Sequence, residues 1–221
     1  MPSTPLIPLT AAAVTALQDR LLAAPGWPQQ APAAAAAHAS ELDRWLVANH
    51  RNNSLLWAEE DLARRTTVAA AEIAANKRAI DGYNQARNDA TERIDEWLLL
   101  ALGLVDEASA RSDAPAARVP PGARLNSETA GSMVDRLSIL ALKVSAMQAQ
   151  TERQDVDGAH RTSSQGKLQR LQQQRADLAA CLDALLADAA AGRAYFKVYR
   201  QFKMYNDPRL NPQLVKEQRA P

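Results

Sequence analysis

Two stretches of the chain put polar side chains where a helix would ordinarily bury leucine. Read at alternating steps of three and four, residues 42–63 run Leu42, Leu46, Asn49, Asn53, Leu56, Glu60 and Ala63. The same ruler over 73–98 gives Ile73, Lys77, Ile80, Asn84, Arg87, Thr91, Ile94 and Leu98. Lysine and arginine at such positions neutralise phosphate or carboxylate, amides bond to hydroxyls, and carboxylates orient the cations or carry protons. Lys77, Arg87, Arg136 and Lys143 are therefore the candidate anion ligands, with Asn53, Asn84 and Gln85 as candidate partners for hydroxyls. Glu60, Asp61 and Asp81 are the candidate catalytic or orienting acids.

These residues must be held by helices. Met133, Leu137, Leu140, Val144, Met147 and Thr151 form one unbroken seam, and Leu168, Leu171, Arg175, Leu178, Leu182, Leu185 and Ala189 another. Such spacing marks antiparallel helices packed on one another. The expected fold is all-α, an antiparallel bundle of long helices with a polar mid-section, a short N-terminal helix at about 9–24 and an aromatic C-terminal helix at about 193–205. The long helices are expected to run from the alanine run before His38 to about Arg64, from about Thr67 as N-cap to Leu104, over 127–156 and over 164–190. Residues 1–37 read as an N-terminal helix and Pro/Ala-rich linker, 38–212 as one helical domain with a long loop at 106–126, and 213–221 as a tail. A hairpin closing near 64–67 would set Asn49 and Asn53 opposite Asn84 and Lys77. Lys77 and Arg87 cannot be buried cheaply without partners. Three readings stay open: a self-satisfied network that fixes helix register, a ligand cavity between helices, or a face that is merely solvated.

The stretch NSETAGSMVDRL, 126–137, is a second candidate, because a helix start presents free N–H groups to an anion, or is capped by Ser127 or Thr129. The helix after it is apolar nearly all round, so Asp135, Arg136 and Lys143 are expected to be shielded. A third is AYFKVYRQFKMYNDP, 195–208, where aromatics alternate with Lys197, Arg200 and Lys203. Tyr195, Tyr199 and Phe202 share a helical face, which points to a helix docked on the bundle rather than to nucleic-acid stacking. A formal net charge of +1 gives no global field for nucleic acid. No metal site is expected, since Cys/His clusters are lacking and none of His38, His50 and His160 follows a glutamate by three. His50 reads as a hydrogen-bonded structural histidine. Nucleotide-binding glycine loops and a G-x-S-x-G elbow are lacking too, so the cofactor is left open. Cys181 reads as a buried, inert thiol. The apolar run at 97–105 is too short to span a bilayer and the N-terminus does not read as a secretion signal, so a cytoplasmic protein is expected.

Four ordered blocks, NNSLLWAEEDLAR, KRAIDGYNQARNDATERID, NSETAGSMVDRLSILALKV and YRQFKMYNDPRLNP, resemble the bacterial family catalogued as domain of unknown function 4254 (DUF4254), over about 45–212. The resemblance implies a small all-helical protein often encoded among glycosyltransferase and lipopolysaccharide or surface-glycan genes. Carried onto this sequence, its motif residues are Asn53, Trp57, Glu60, Asp61 and Arg64, then Lys77, Arg78, Asp81, Asn84, Gln85, Arg87, Asn88 and Asp95. Later blocks supply Glu128, Thr129, Gly131, Asp135, Arg136 and Lys143, then Lys203, Tyr205, Asn206 and Asp207. Ala130 stands where the family turn is expected to carry proline. The combined expectation is a surface-glycan assembly protein that holds a sugar phosphate, sugar nucleotide or similar anion in the polar mid-section. The alternatives are a non-catalytic adaptor that binds a glycosyltransferase, and a helical mutase or lyase acting on a small carboxylate. Whether the protein is an enzyme, and its oligomeric state, stay open.

Overall fold

The computed structural model describes residues 9–30, 40–202 and 207–219. Its elements in chain order are α1 (Ala11–Leu22), α2 (Glu41–Leu62), α3 (Ala70–Ala101), β1 (Arg124–Leu125), α4 (Ala130–Glu152), α5 (Gly158–Ala190), β2 (Ala194–Tyr195) and α6 (Pro212–Arg219). The fold is all-α, with two-residue strands as its only sheet among the described residues. His38, Lys203, Tyr205 and Asn206, and the expected start of the second helix in the alanine run, lie outside the described residues.

Local chemistry sets most helix starts. Ser40 and Asp43 form a reciprocal capping box on α2, Thr129 caps α4 through Ser132 N, and Asp157 caps α5 through His160 N. The exception is α3, which begins at Ala70 after an Ala69 N-cap that makes no side-chain bond. Thr67 is therefore not the cap, because its hydroxyl sits too early to reach the amides of the first turn. Glu59 meets Asn76, and Asn49 meets Thr91. Both contacts fall further along α3 than a hairpin closing at 64–67 allows, so Asn49 does not oppose Asn84.

Two helical hairpins, α2–α3 and α4–α5, pack together and α1 crosses α4 and α5. Leu42, Leu46, Ile94, Leu98, Val134, Leu137, Leu182 and Leu185 form the shared core, and α1 adds Ala11 and Val14. Polar ties hold α1 in place: Ala11 N donates to Asp183 Oδ1 at 2.7 Å and Arg175 Nη1 to Asp19 at 2.8 Å. At Gly131 the two hairpins lie backbone against backbone. A Cβ there would lie 2.5 Å from the Thr91 carbonyl oxygen. Gly131→Ala is expected to cost about 1–3 kcal/mol in urea unfolding, because backbone rather than a flexible side chain must give way. An unchanged midpoint would contradict this account of the contact.

Residues 193–202, the described part of the segment expected as an aromatic helix at 193–205, are not helical. Gly192, at φ 71°, ends α5 in the left-handed region, and β2 then pairs in parallel with β1, Arg124 opposite Ala194 and Leu125 opposite Tyr195. Ala194, Phe196 and Val198 are buried while Tyr199 is exposed, a period of two that a helix cannot satisfy. The 106–126 loop is tied down rather than free. A Val105–Ala117 bridge closes it, Arg118 pairs with Asp106 at 3.0 Å, and Arg111 reaches Glu41 at 2.9 Å. None of the described helices is long and apolar enough to cross a membrane.

Candidate functional site

The polar residues of α2 point at α4. Asn49 Nδ2 and Asn53 Nδ2 donate to Asp135 Oδ1 at 2.9 and 2.8 Å, and Asn53 Nδ2 also lies 3.0 Å from Ser138 Oγ. Ser138 is bonded in turn to His50 Nδ1 at 2.7 Å, and the His50 ring stacks on Trp27 with centroids 5.5 Å apart. Burial, helped by the charge of Arg175, pushes His50 down to about 4. His50 is thus a neutral structural group at ordinary pH.

Arg87 reaches this network from α3. Its side chain is 22% exposed, and Nη2 donates to Asn88 Oδ1 at 3.0 Å. Asp135 is already held by two amides and lies 3.9 Å from Arg87 Nε, too far for a hydrogen bond. Arg87 Nε is buried without a hydrogen-bond partner among the described residues. Arg87 lines a cavity of about 280 Å³ together with Asn53, Trp57, Glu60, Asp61 and Arg64. Trp57 and Asp61 also line a neighbouring cavity of about 570 Å³ between α2, α4 and α5, where Lys143, Lys167 and Arg170 supply the charge. Lys143 is shared in turn with a groove of about 920 Å³ along α4 and α5 that includes Glu128, Arg136 and Cys181.

The structure therefore gathers Asn53, Glu60, Asp61, Arg64 and Arg87 around one cavity, with Asn88 and Asp135 behind Arg87. Glu128 and Arg136 pair with each other in the α4–α5 groove. Arg136 and Lys143 are exposed, not shielded, because α4 presents them to the groove rather than to the core. Lys77 and Asp81 pair on an exposed stretch of α3, Arg78 is exposed, and Gln85 donates to Asp89 at 2.6 Å. These four and the half-buried Asn84 line none of the three cavities.

The start of α4 is closed by a carboxyl group of the protein's own. Asp95 Oδ1 accepts from Gly131 N at 2.6 Å, and the Thr129 hydroxyl also bonds the carboxyl. Burial pushes Asp95 up to about 7, against the pull of those two bonds. Thr129 and Gly131 are thus structural partners of α3, and Ala130 in the turn leaves the cap intact. Cys181 is exposed rather than buried, since it sits one residue off the Leu178–Leu182 seam. Reading residues for site chemistry overlooked Lys167 and Arg170. Their signal was the i, i+3, i+7 spacing of Lys167, Arg170 and Gln174 on one side of α5, matching Asn53, Trp57 and Asp61 at i, i+4, i+8 on α2.

The family model described as Protein of unknown function (DUF4254) matches residues 43–198. The chain belongs to this family. In this DUF4254 protein the match takes in α2 to β2, so every residue of the Arg87 cavity falls inside it, while α1 and α6 lie outside. Three of the four sequence blocks are covered, and the block from Tyr199 onward is beyond the matched span. No curated protein and no solved structure matches the chain.

Proposed function

We propose that this DUF4254 protein binds a phosphorylated sugar, sugar nucleotide or similar anion at Arg87, as a cytoplasmic component of bacterial surface-glycan assembly. The observation that carries the reading is the Nε of Arg87, a buried donor without a hydrogen-bond partner at the edge of a cavity. A buried N–H without a hydrogen-bond partner is costly unless something occupies it, and an anion oxygen suits a guanidinium. Asn53 and Arg64 would flank the bound group. Glu60 and Asp61 would bond sugar hydroxyls or accept a proton from one. The glycan context comes from the family resemblance and not from the geometry.

Thermal shift with sugar 1-phosphates tests this. Ligand at about 100 times its Kd should stabilise the protein by about 2.7 kcal/mol, and Arg87→Met should abolish the shift while leaving the unliganded protein as stable or more so. A shift retained in Arg87→Met, or none with any of these ligands, would defeat the reading.

The adaptor reading draws on a different observation. Tyr199 and Phe202 are 52% and 72% exposed at the end of the chain's extended segment. Removing the whole segment would strip Phe196 and Val198 from the core, so the variant to use is the double substitution Tyr199→Ser, Phe202→Ser. Loss of a glycosyltransferase partner with sugar-phosphate binding intact would favour the adaptor.

A further inference from the structure

The cavity between α2, α4 and α5 combines two chemistries that the Arg87 cavity does not. Lys143, Lys167 and Arg170 face a single carboxylate, Asp61, and none of the three makes an ion pair or hydrogen bond among the described residues. Beside them lie Trp57, Met147 and Leu171. No ring or cation stacks on Trp57 among the described residues, in contrast to Trp27, which is covered by His50. Inorganic phosphate would satisfy the cations but leave the apolar wall wet. A neutral apolar ligand would do the reverse. At about 570 Å³ the space suits a small organic ligand.

From this pairing we infer that the cavity takes a nucleoside diphosphate, its base against Trp57 and its phosphates among Lys143, Lys167 and Arg170. Flat π-faces stack on tryptophan irrespective of base identity, and the diphosphate matches the excess of cations. Trp57 and Asp61 border both cavities, so a nucleoside diphosphate held here would lie beside the Arg87 cavity. This deepens the proposed function, on which the choice of a sugar nucleotide over a free nucleotide rests.

Titrations of the full chain with UDP, GDP, ADP, pyrophosphate and glucose 1-phosphate, followed by tryptophan fluorescence and calorimetry, separate the two claims. Nucleoside diphosphates should quench Trp57 emission, and the quench should vanish in Trp57→Leu. The exposed pair Lys167→Ala, Arg170→Ala should weaken their binding by about tenfold or more. Circular dichroism and the melting midpoint confirm that each variant is folded. Absence of nucleoside diphosphate binding overturns the inference. So does pyrophosphate binding as tightly as UDP with no dependence on Trp57. Glucose 1-phosphate binding that depends on Arg87 alone would then leave the proposed function standing without its nucleotide end. Nucleoside diphosphate binding without glucose 1-phosphate binding would do the opposite.

Discussion

Arg200→Ala is expected to destabilise the protein by about 3–5 kcal/mol, the range for removing one partner of a buried ion pair. The Arg200 side chain is only 10% exposed. Nη1 donates to Glu92 at 2.9 Å and to Glu96, while Nη2 and Nε donate to the carbonyl oxygens of Ala110 and Ser112 at 2.9–3.0 Å. One guanidinium thus ties the extended C-terminal segment, α3 and the 106–126 loop together. Its loss leaves Glu96, 3% exposed, with Arg93 alone, and frees two loop carbonyls. The variant should also become sensitive to proteolysis within the loop. Urea unfolding and limited digestion measure both effects. A cost under about 1 kcal/mol with no new cleavage would show that the loop is anchored elsewhere.

The second large effect is in the pH dependence of stability. Asp95 is held at about 7 in the folded protein against an ordinary 3.8, so the folded state keeps its proton where the unfolded chain has lost it. Its contribution to stability is therefore full below pH 3.8 and is lost as pH rises through 7, about 4 kcal/mol in all at about 1.4 kcal/mol per pH unit. His50 runs the other way. At about 4 against 6.5, it stays neutral when folded, and its contribution is full above pH 6.5 and lost as pH falls through 4, about 3 kcal/mol in all. Between pH 4 and 6.5 the two nearly offset. Asp95→Asn removes one arm, so its stability should climb by about 3 kcal/mol across that window while the wild-type curve stays comparatively flat. Parallel curves would show that Asp95 carries no retained proton.

The four long helices were legible because their seam residues recur every three or four positions, but the caps Ser40 and Asp157 escaped, so the expected start of α5 at 164 falls six residues after the observed Gly158. Two other features escaped for physical reasons. Tyr195, Tyr199 and Phe202 fit a helical face, but Ala194, Phe196 and Val198 fit a strand equally well, and the pairing with Arg124–Leu125 that decides between them is distant in sequence. The hairpin register was hidden because the bends between α2 and α3 fix a stagger that no apolar count records. That stagger separates the candidate residues. Asn53, Glu60, Asp61, Arg64 and Arg87 converge, whereas Lys77 and Asn84, on the same nominal stripe of α3 as Arg87, fall outside the three cavities, as do Asp81 and Gln85. Lys167 and Arg170 were overlooked because charge on the outer side of a helix ordinarily means only solvation, and their relation to Trp57 depends on how α5 packs beside α2.

A crystal structure of the protein soaked with a sugar 1-phosphate tests the central claim most directly. The account predicts a phosphate oxygen within hydrogen-bonding distance of Arg87 Nε, with Asn53 and Arg64 at the rim and Asp135 still held by Asn49 and Asn53. It would be contradicted by a cavity filled only with ordered water at saturating ligand, or by an Arg87 guanidinium that closes onto Asp135 and leaves no donor to offer.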